Sequence, residues 1–327
     1  MSDSVVDLIY LASAALFIVG LKGLSHPRTA VRGNLLAATA MLTAIVVTLV
    51  ERGVVDLELI VAGMAVGALA GTVLAVRASL TAMPQLVALF NGLGGGASAL
   101  VAAVALESST GAAGVSEIQA SGSIGASALV GSVTFWGSAV AFGKLQRLVP
   151  ERPMTLPGHH LLNGILFPIC LALVVWLAIE SGTTPVFWAL VAVASLLGLL
   201  LVAPIGGADM PVAISLLNSC SGLAAAATGF ALDSNILIVA GSLVGAAGLI
   251  LTINMSRAMN RSLTNVLFAG VGAQITTQGE TEDIYTGRVK SSNAEEVAML
   301  LEDARRVVIA PGFGMAISQA QYAVRDL

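Results

Sequence analysis

The chain has 327 residues, of which 57% are hydrophobic and only 10% charged, and its mean hydropathy is +0.92. Soluble domains carry about 25% charged residues and could not hide this much apolar surface in one core, so the composition excludes an ordinary soluble protein. The net charge of −4 is too small to indicate a nucleic-acid partner. Cys170 and Cys220 both lie in apolar runs, which predicts buried thiols and no metal site.

Nine apolar segments follow one another from the N-terminus, and each is long enough to cross a bilayer as a helix. They run approximately over 5–22, 33–50, 55–77, 84–106, 124–146, 161–180, 184–204, 210–232 and 235–256. The polar stretch 107–123 is predicted to be an external loop, and Pro168 is expected to kink its span. Residues 1–260 are therefore predicted to form an all-α polytopic helix bundle surrounded by membrane lipid.

Basic residues gather after the odd-numbered spans, which predicts the orientation of the bundle. They are Lys22, Arg28, Arg32, Arg77, Lys144, Arg147, Arg152, Arg257 and Arg261. By the positive-inside rule, the N-terminus faces outward and the C-terminus lies in the cytoplasm.

The composition changes after the last span, where residues 261–293 are polar and are predicted to be a linker. Residues 294–303 have a helical pattern, 305–310 resemble a buried strand, and a glycine turn leads into a last helix. Gly312 and Gly314 fit the G-x-G of a dinucleotide-binding turn, although Ile317 stands where a third small residue is usual. Residues 294–327 are therefore predicted to be the first β-α unit of a Rossmann-like α/β domain. A plain strand-to-helix turn explains the pattern equally well.

The span interiors contain almost no ionisable residue, but polar side chains recur there at helical spacing with small ones. These faces hold Asn91, Gly94 or Gly95, and Ser98; Gly131, Thr134 and Ser138; Ser215, Asn218, Gly222 and Gly229; and Gly241, Gly245, Gly248 and Thr252. Close helix packing explains the small residues. Asparagine is costly in lipid, so Asn91 and Asn218 are expected inside the bundle, either lining a hydrated path or joining helices. Asp209 is expected either to cap a helix before Pro211 or to pair with Arg261.

Five long segments in order resemble the β subunit of proton-translocating NAD(P) transhydrogenases. They are MPQLVALFNGLGGGASALVA, GSVTFWGSAVAFGKLQ, IGGADMPVAISLLNSCSGLAAAATGF, LIVAGSLVGAAGLILTINMSRAMNRS and VVIAPGFGMAISQAQYAVRDL. The resemblance implies hydride transfer between NAD(H) and NADP(H), coupled to proton passage across a plasma membrane. It implies an α subunit that holds NAD(H), a dimer of α–β units, and a cytoplasmic NADP(H)-binding domain at the end of the β subunit.

The resemblance also assigns roles to single positions, although it assigns no catalytic residue to this chain. It places Asn91, Ser138 and Asn218 on the proton path, and Asp209 and Arg261 where the membrane domain meets the nucleotide domain. Gly245 and Gly248, with Gly241 on the same face, match tightly packed glycines of the last span. The loop beside the NADP pyrophosphate matches Gly312, Phe313, Gly314, Met315 and Ala316.

The chain departs from the family pattern in two ways. Some members have histidine where this chain has Asn91, and an amide cannot carry a proton at ordinary pH. A partner subunit is therefore expected to supply a titratable side chain near the path. The nucleotide domain is expected to be incomplete, so that 271–327 is mobile and the chain alone neither binds NADP(H) tightly nor catalyses hydride transfer. The alternatives are a secondary transporter, although no internal repeat is evident, and a structural membrane subunit.

Overall fold

The computed structural model describes residues 3–24, 26–51, 57–108, 116–154, 158–180, 183–259, 262–268, 294–302, 304, 306–309, 315 and 320–326. The chain divides into two compact units, Met1–Gly270 and Val271–Leu327. Among the described residues, nine helices of the first unit are long and apolar enough to cross a membrane, as predicted. They are α1 Asp3–Leu24, α2 Pro27–Glu51, α3 Leu57–Arg77, α4 Met83–Glu107, α5 Glu117–Leu145, α6 His159–Ile179, α7 Thr184–Val202, α8 Met210–Ala231 and α9 Asn235–Ala258.

The start of α5 differs from the predicted boundary, because residues 117–123 are helical and do not belong to a loop. The Ser116 hydroxyl accepts a hydrogen bond from the backbone N–H of Gln119 at 3.3 Å, and Glu117 lies in the first turn. An N-cap serine followed by an acidic residue stabilises the positive end of a helix. The polar composition that suggested a loop is thus the capped first part of a long helix. Likewise, α2 begins at Pro27, earlier than the predicted start at 33.

Proline marks the first turn of several other helices, where its missing N–H costs nothing. Pro84, Pro185 and Pro211 occupy this position in α4, α7 and α8. Pro168 is the exception, since α6 continues through it from His159 to Ile179.

Helices α5 and α8 form the centre of the bundle. Helix α5 packs against α4, α6, α7 and α8, while α9 runs along the other side of α8. One apolar cluster, with Leu177, Phe187 and Leu190 at its core, fills the space between α5, α6 and α7. A second cluster, which includes Met210 and Val212, lies at the start of α8.

The first three helices are less involved in this core. Helices α1 and α2 form a hairpin, in which the Tyr10 and Thr48 hydroxyls are 2.8 Å apart, and α1 also contacts α9. Helix α3 buries none of its apolar span against the rest of the described chain. Such apolar surfaces are compatible with a lipid environment.

A short helix, α10, spans Leu263–Phe268 within the segment predicted to begin the linker. Val266 is only 1% exposed and packs in the same cluster as Met210 and Val212. Helix α10 therefore packs with the membrane helices, and the domain limits at 260 and 293 stay predictions. Most of the predicted linker, 269–293, lies outside the described residues.

The described part of the second unit contains α11, Ala294–Glu302, and α12, Gln321–Asp326. Helix α11 coincides with the predicted helix over 294–303. Residues 306–309 lie in neither a helix nor a strand. The Rossmann-like β-α unit therefore stays a prediction.

Candidate functional site

Asn91 lies at the meeting point of α4, α5 and α8, where it is 8% exposed. Its side-chain nitrogen donates a hydrogen bond to the Ser138 hydroxyl at 2.9 Å. Its side-chain oxygen accepts one from the Ser221 hydroxyl at 2.8 Å. Three helices thus contribute one polar group each to a buried cluster. The structure brings together Asn91 and Ser138, two of the predicted path residues, and adds Ser221.

A second cluster joins the same three helices further along the bundle. The Ser127 hydroxyl on α5 lies 2.7 Å from the Thr228 hydroxyl on α8 and 3.2 Å from the backbone oxygen of Ser98 on α4, so its one proton can be donated to either. Ser98 follows Asn91 by seven residues, which corresponds to about 10 Å along a helix.

Thr134 lies between the two clusters on the same face of α5. It is fully buried, and its hydroxyl has no hydrogen-bond partner within the described part of the chain. Glycines bring the helices together here, since a Cβ on Gly95 would lie 2.9 Å from the backbone oxygen of Gly131. An unsatisfied hydroxyl in such a position is costly unless water or another group reaches it.

These groups form a polar ladder that spans about 16 Å along α5, roughly half of a bilayer's ~30 Å hydrocarbon core. The polar ladder consists of the side chains of Asn91, Ser127, Thr134, Ser138, Ser221 and Thr228, together with the backbone oxygen of Ser98. Its side chains are amides and hydroxyls and include no group that titrates near neutral pH. Ser127, Ser221 and Thr228 were not predicted, although the 127–131–134–138 spacing along α5 is a regular helical face.

Asn218, the third predicted path residue, is half-buried and is not part of the Asn91 cluster. On α8, Ser221 faces α4 and Ser215 faces α9. Helical geometry places Asn218 between these two sides of the helix. Helices α4 and α9 both pack on α8 but make no extensive contact with each other. The Asn218 side chain makes no hydrogen bond to any described residue, so it lies beside the ladder on a less covered strip of α8.

Asp209 is buried and ends a short 3-10 turn, Gly207–Asp209, immediately before α8. Its side chain makes no capping hydrogen bond to the first turn of α8. Asp209 thus occupies the N-cap position of α8, as predicted, but it is buried and does not act as a solvated cap. Arg261, its predicted partner, lies outside the described residues.

The contact between α8 and α9 is made by glycines. A Cβ on Gly241 would collide with the backbone nitrogen of Ala226, and one on Gly248 would lie 2.8 Å from that of Ser219. Gly245 differs, because a Cβ there would meet its nearest atom, the Ser219 oxygen, at 3.4 Å. The Ser219 hydroxyl donates to the Gly245 oxygen at 2.6 Å, so small and hydroxyl side chains together hold the two backbones close.

Comparison with known proteins shows what this chain is similar to over almost all of its length. Residues 6–327 match the family described as "PNTB: NAD(P) transhydrogenase beta subunit". The NAD(P) transhydrogenase subunit beta of Rhodospirillum rubrum is 42% identical over 331 residues, which cover all of this chain and 71% of the relative. A protein of the same name from a strain of that species has the same identity and coverage.

The chain belongs to the NAD(P) transhydrogenase beta subunit family. The family resemblance of the sequence is thereby confirmed, and the chain is a multi-pass membrane component of an oxidoreductase. No ground remains for the transporter interpretation.

The predicted nucleotide-binding residues are in the second unit. Gly312, Phe313, Gly314 and Ala316 lie outside the described residues. Met315 is helical, and its backbone oxygen accepts a hydrogen bond from the Ala320 N–H at 3.0 Å. The predicted nucleotide contacts of this segment stay predictions.

Lys144, near the end of α5, differs from its predicted place in a basic loop. It is fully buried, and its ammonium group donates to the backbone oxygens of Ala203 at 2.5 Å and Ile205 at 2.7 Å. Sequence patterns gave no sign of this, because a lysine at a helix end is usually solvated.

Proposed function

We propose that this β subunit couples hydride transfer between NAD(H) and NADP(H) to proton passage along the polar ladder. The observation that carries the proposal is the Asn91 cluster, a buried amide held between the hydroxyls of Ser138 and Ser221 from two other helices. Family membership supplies the reaction, and the ladder supplies a polar route through otherwise apolar helices.

The reaction needs no covalent chemistry from the membrane helices. A hydride, which is one proton with two electrons, leaves the reduced nicotinamide and joins the oxidised one, so that NADH and NADP⁺ give NAD⁺ and NADPH. The transmembrane proton is a separate particle. The polar ladder can orient water and hydrogen bonds for its passage, because hydroxyl and amide groups both donate and accept.

The ladder alone cannot be the entire proton path, because its amide and hydroxyl groups do not gain or lose a proton at ordinary pH. Intramembrane proton relays usually use acids or histidines. We expect the α subunit to supply such a group, a histidine by preference, near Asn91, Ser138 and Asn218. The less covered strip of α8 at Asn218 offers room for a partner helix to approach.

The nucleotides are assigned by family membership and by the sequence motif. NADP(H) is proposed to bind beside Gly312, Phe313, Gly314, Met315 and Ala316, in a domain that follows the membrane unit. NAD(H) is proposed to bind to the α subunit, and two α–β units to form a dimer in the plasma membrane. Asp209 and Arg261 are proposed to transmit changes between the nucleotide domain and α8.

The test uses the complete complex with its α subunit, reconstituted into vesicles that contain a pH-sensitive dye. Hydride transfer in the wild type should change the internal pH, and a protonophore should abolish the change. Asn218→Leu should abolish this proton movement. Asn163→Leu is the matched control, because Asn163 is a half-buried asparagine of α6 away from the ladder, and it should leave pumping intact. Normal pumping by Asn218→Leu would remove Asn218 from the path, and a wild type that transfers hydride without moving protons would refute the function.

A further inference from the structure

Lys144 is the only buried lysine or arginine among the described residues. Its two acceptors, the Ala203 and Ile205 oxygens, lie just beyond the last turn of α7. The C-terminal end of a helix carries partial negative charge, so a cation is favourable there. No carboxylate of the described residues lies within ion-pair distance of the Lys144 ammonium group. The charge is therefore held by backbone carbonyl groups.

The loop after Lys144 holds the same stretch of chain by backbone hydrogen bonds. The Met154 N–H donates to the Ala203 oxygen at 3.1 Å, and the Gly207 N–H donates to the Glu151 oxygen at 2.9 Å. Gly207 begins the 3-10 turn that ends at the buried Asp209. The joint between α7 and α8, residues 203–209, is thus attached to the end of α5 on both sides of Ile205.

Stability alone gives no reason for a lysine in this place. Burying a charge is costly, and replacing buried ionic groups with apolar residues of similar volume is often neutral or stabilising. A methionine would fill much the same space. Unlike a methionine, the lysine makes two directional, charge-assisted hydrogen bonds, which fix the positions of two carbonyl groups.

The joint leads into α8 and is bound to α5 through Lys144, and both of these helices carry groups of the polar ladder. Helix α5 carries Ser127, Thr134 and Ser138, and α8 carries Ser221 and Thr228. If the joint shifts, the start of α8 shifts relative to α5, and the hydrogen bonds between the two helices change with it.

We propose that Lys144 is a positioning residue for proton coupling, which fixes the α7–α8 joint so that changes at Asp209 reach the polar ladder. This inference rests on the proposed function. Lys144 lies within the membrane unit, and its ammonium group is bound to backbone oxygens there, so this role requires it neither to hold a nucleotide nor to exchange the transported proton. Its loss should separate hydride transfer from proton movement and leave the nucleotide chemistry in place.

The experiment measures protons moved per hydride transferred, in vesicles that hold the complete complex. Lys144→Met removes both hydrogen bonds, and we expect the ratio to fall about tenfold, since a hydrogen bond to a charged group shifts an equilibrium by roughly that factor or more. Lys144→Arg keeps a cation with several donors and should restore most of the ratio. Arg152→Met is the matched control, because Arg152 is an exposed cation of the same loop, and its ratio should equal that of the wild type.

A merely structural lysine would give a different pattern, in which hydride transfer and proton movement fall together with the amount of folded complex. Equal ratios in the wild type and Lys144→Met would overturn the inference while the proposed function stands. Lys144→Gln provides a second neutral variant. If neither neutral variant reaches the membrane although Lys144→Arg does, Lys144 serves assembly and the inference is also overturned. A wild type that moves no protons would refute the proposed function first.

Discussion

At the scale of single residues, several buried polar groups of the bundle are hydrogen-bonded to groups of other helices. Asn91 satisfies its amide with Ser138 and Ser221, and Ser127 meets Thr228. In hydrocarbon an unsatisfied amide or hydroxyl costs several kcal/mol (about 2–7), so such pairs select one packing of the helices. The two clusters lie on one face of α5, with the buried Thr134 hydroxyl between them.

Thr134 allows the packing role and the proton-path role to be tested separately, because its buried hydroxyl has no partner in the described chain. Thr134→Val keeps the shape and removes the hydroxyl, so we expect unfolding of the complex at the same or a higher temperature. If the hydroxyl holds water on the path, proton movement should nevertheless slow. Thermal unfolding and vesicle pumping, measured on the same preparation, test both parts. A variant that is destabilised and pumps normally would assign Thr134 to packing.

Some of these residues were predictable and others were not. Asn91 and Ser138 were predicted because they match polar positions of the family. An asparagine within an apolar run is also easy to notice, because burying its amide in lipid costs free energy. Ser127, Ser221 and Thr228 are not conspicuous, since hydroxyl side chains can hydrogen-bond within their own helix, as Thr228 also does to the Ala224 oxygen. Which serine meets which neighbour depends on how the helices pack, and single-helix periodicity does not contain that information.

At the scale of helices, the α8–α9 contact depends on the absence of side chains. Gly222 and Gly241 face each other so closely that a Cβ on either would collide with the backbone of the other helix. The hydrophobic effect does not drive helices together in lipid, so van der Waals contact between closely packed backbones takes its place.

Replacing Gly241 with Val should therefore force α8 and α9 apart. Overpacking a well-packed contact costs about 1–3 kcal/mol or more, and here the obstacle is backbone that cannot rotate away. Gly164→Val is the matched control, because Gly164 lies on α6 with no atom within 4 Å of a Cβ. Thermal unfolding in detergent should show a clear loss for the first variant and little change for the second. Equal stabilities would show that the α8–α9 contact is looser than described.

Helix lengths followed from the sequence better than helix ends did. Nine apolar runs gave nine candidate spanning helices in the described chain, because bilayer thickness fixes the length that a span needs. The start of α5 was placed too late because Glu117 and Gln119 are polar, and only the Ser116 cap reveals that they are helical. Helix α10 was missed because six residues are too few for a periodic pattern.

At the scale of the whole molecule, orientation in the membrane is set by the basic residues after the odd-numbered spans. The burial of Lys144 removes one of them from the solvated set, but Arg147 and Arg152 remain exposed after α5. The predicted orientation, with the N-terminus outside and the nucleotide segment in the cytoplasm, therefore does not depend on Lys144.

Cysteine labelling tests this orientation in intact cells. Ser108→Cys, in the exposed turn after α4, should react with an impermeant thiol reagent added outside. Ser291→Cys should react only after the cells are opened. A variant without Cys170 and Cys220 serves as the background. The opposite labelling pattern would reverse the membrane orientation and move the nucleotide segment outside the cell.

The central claim is that hydride transfer drives protons through the ladder at Asn91, and one measurement addresses it directly. Internal pH and hydride transfer are followed together in vesicles containing the complete complex, for the wild type and for Asn91→Leu. Hydride transfer is read from an NAD analogue whose reduced form absorbs at a different wavelength from NADPH. We predict that the wild type changes internal pH during hydride transfer. We predict that Asn91→Leu does not, although it still transfers hydride when a protonophore removes any opposing gradient. Unchanged proton movement per hydride in Asn91→Leu would contradict the claim that the ladder is the path.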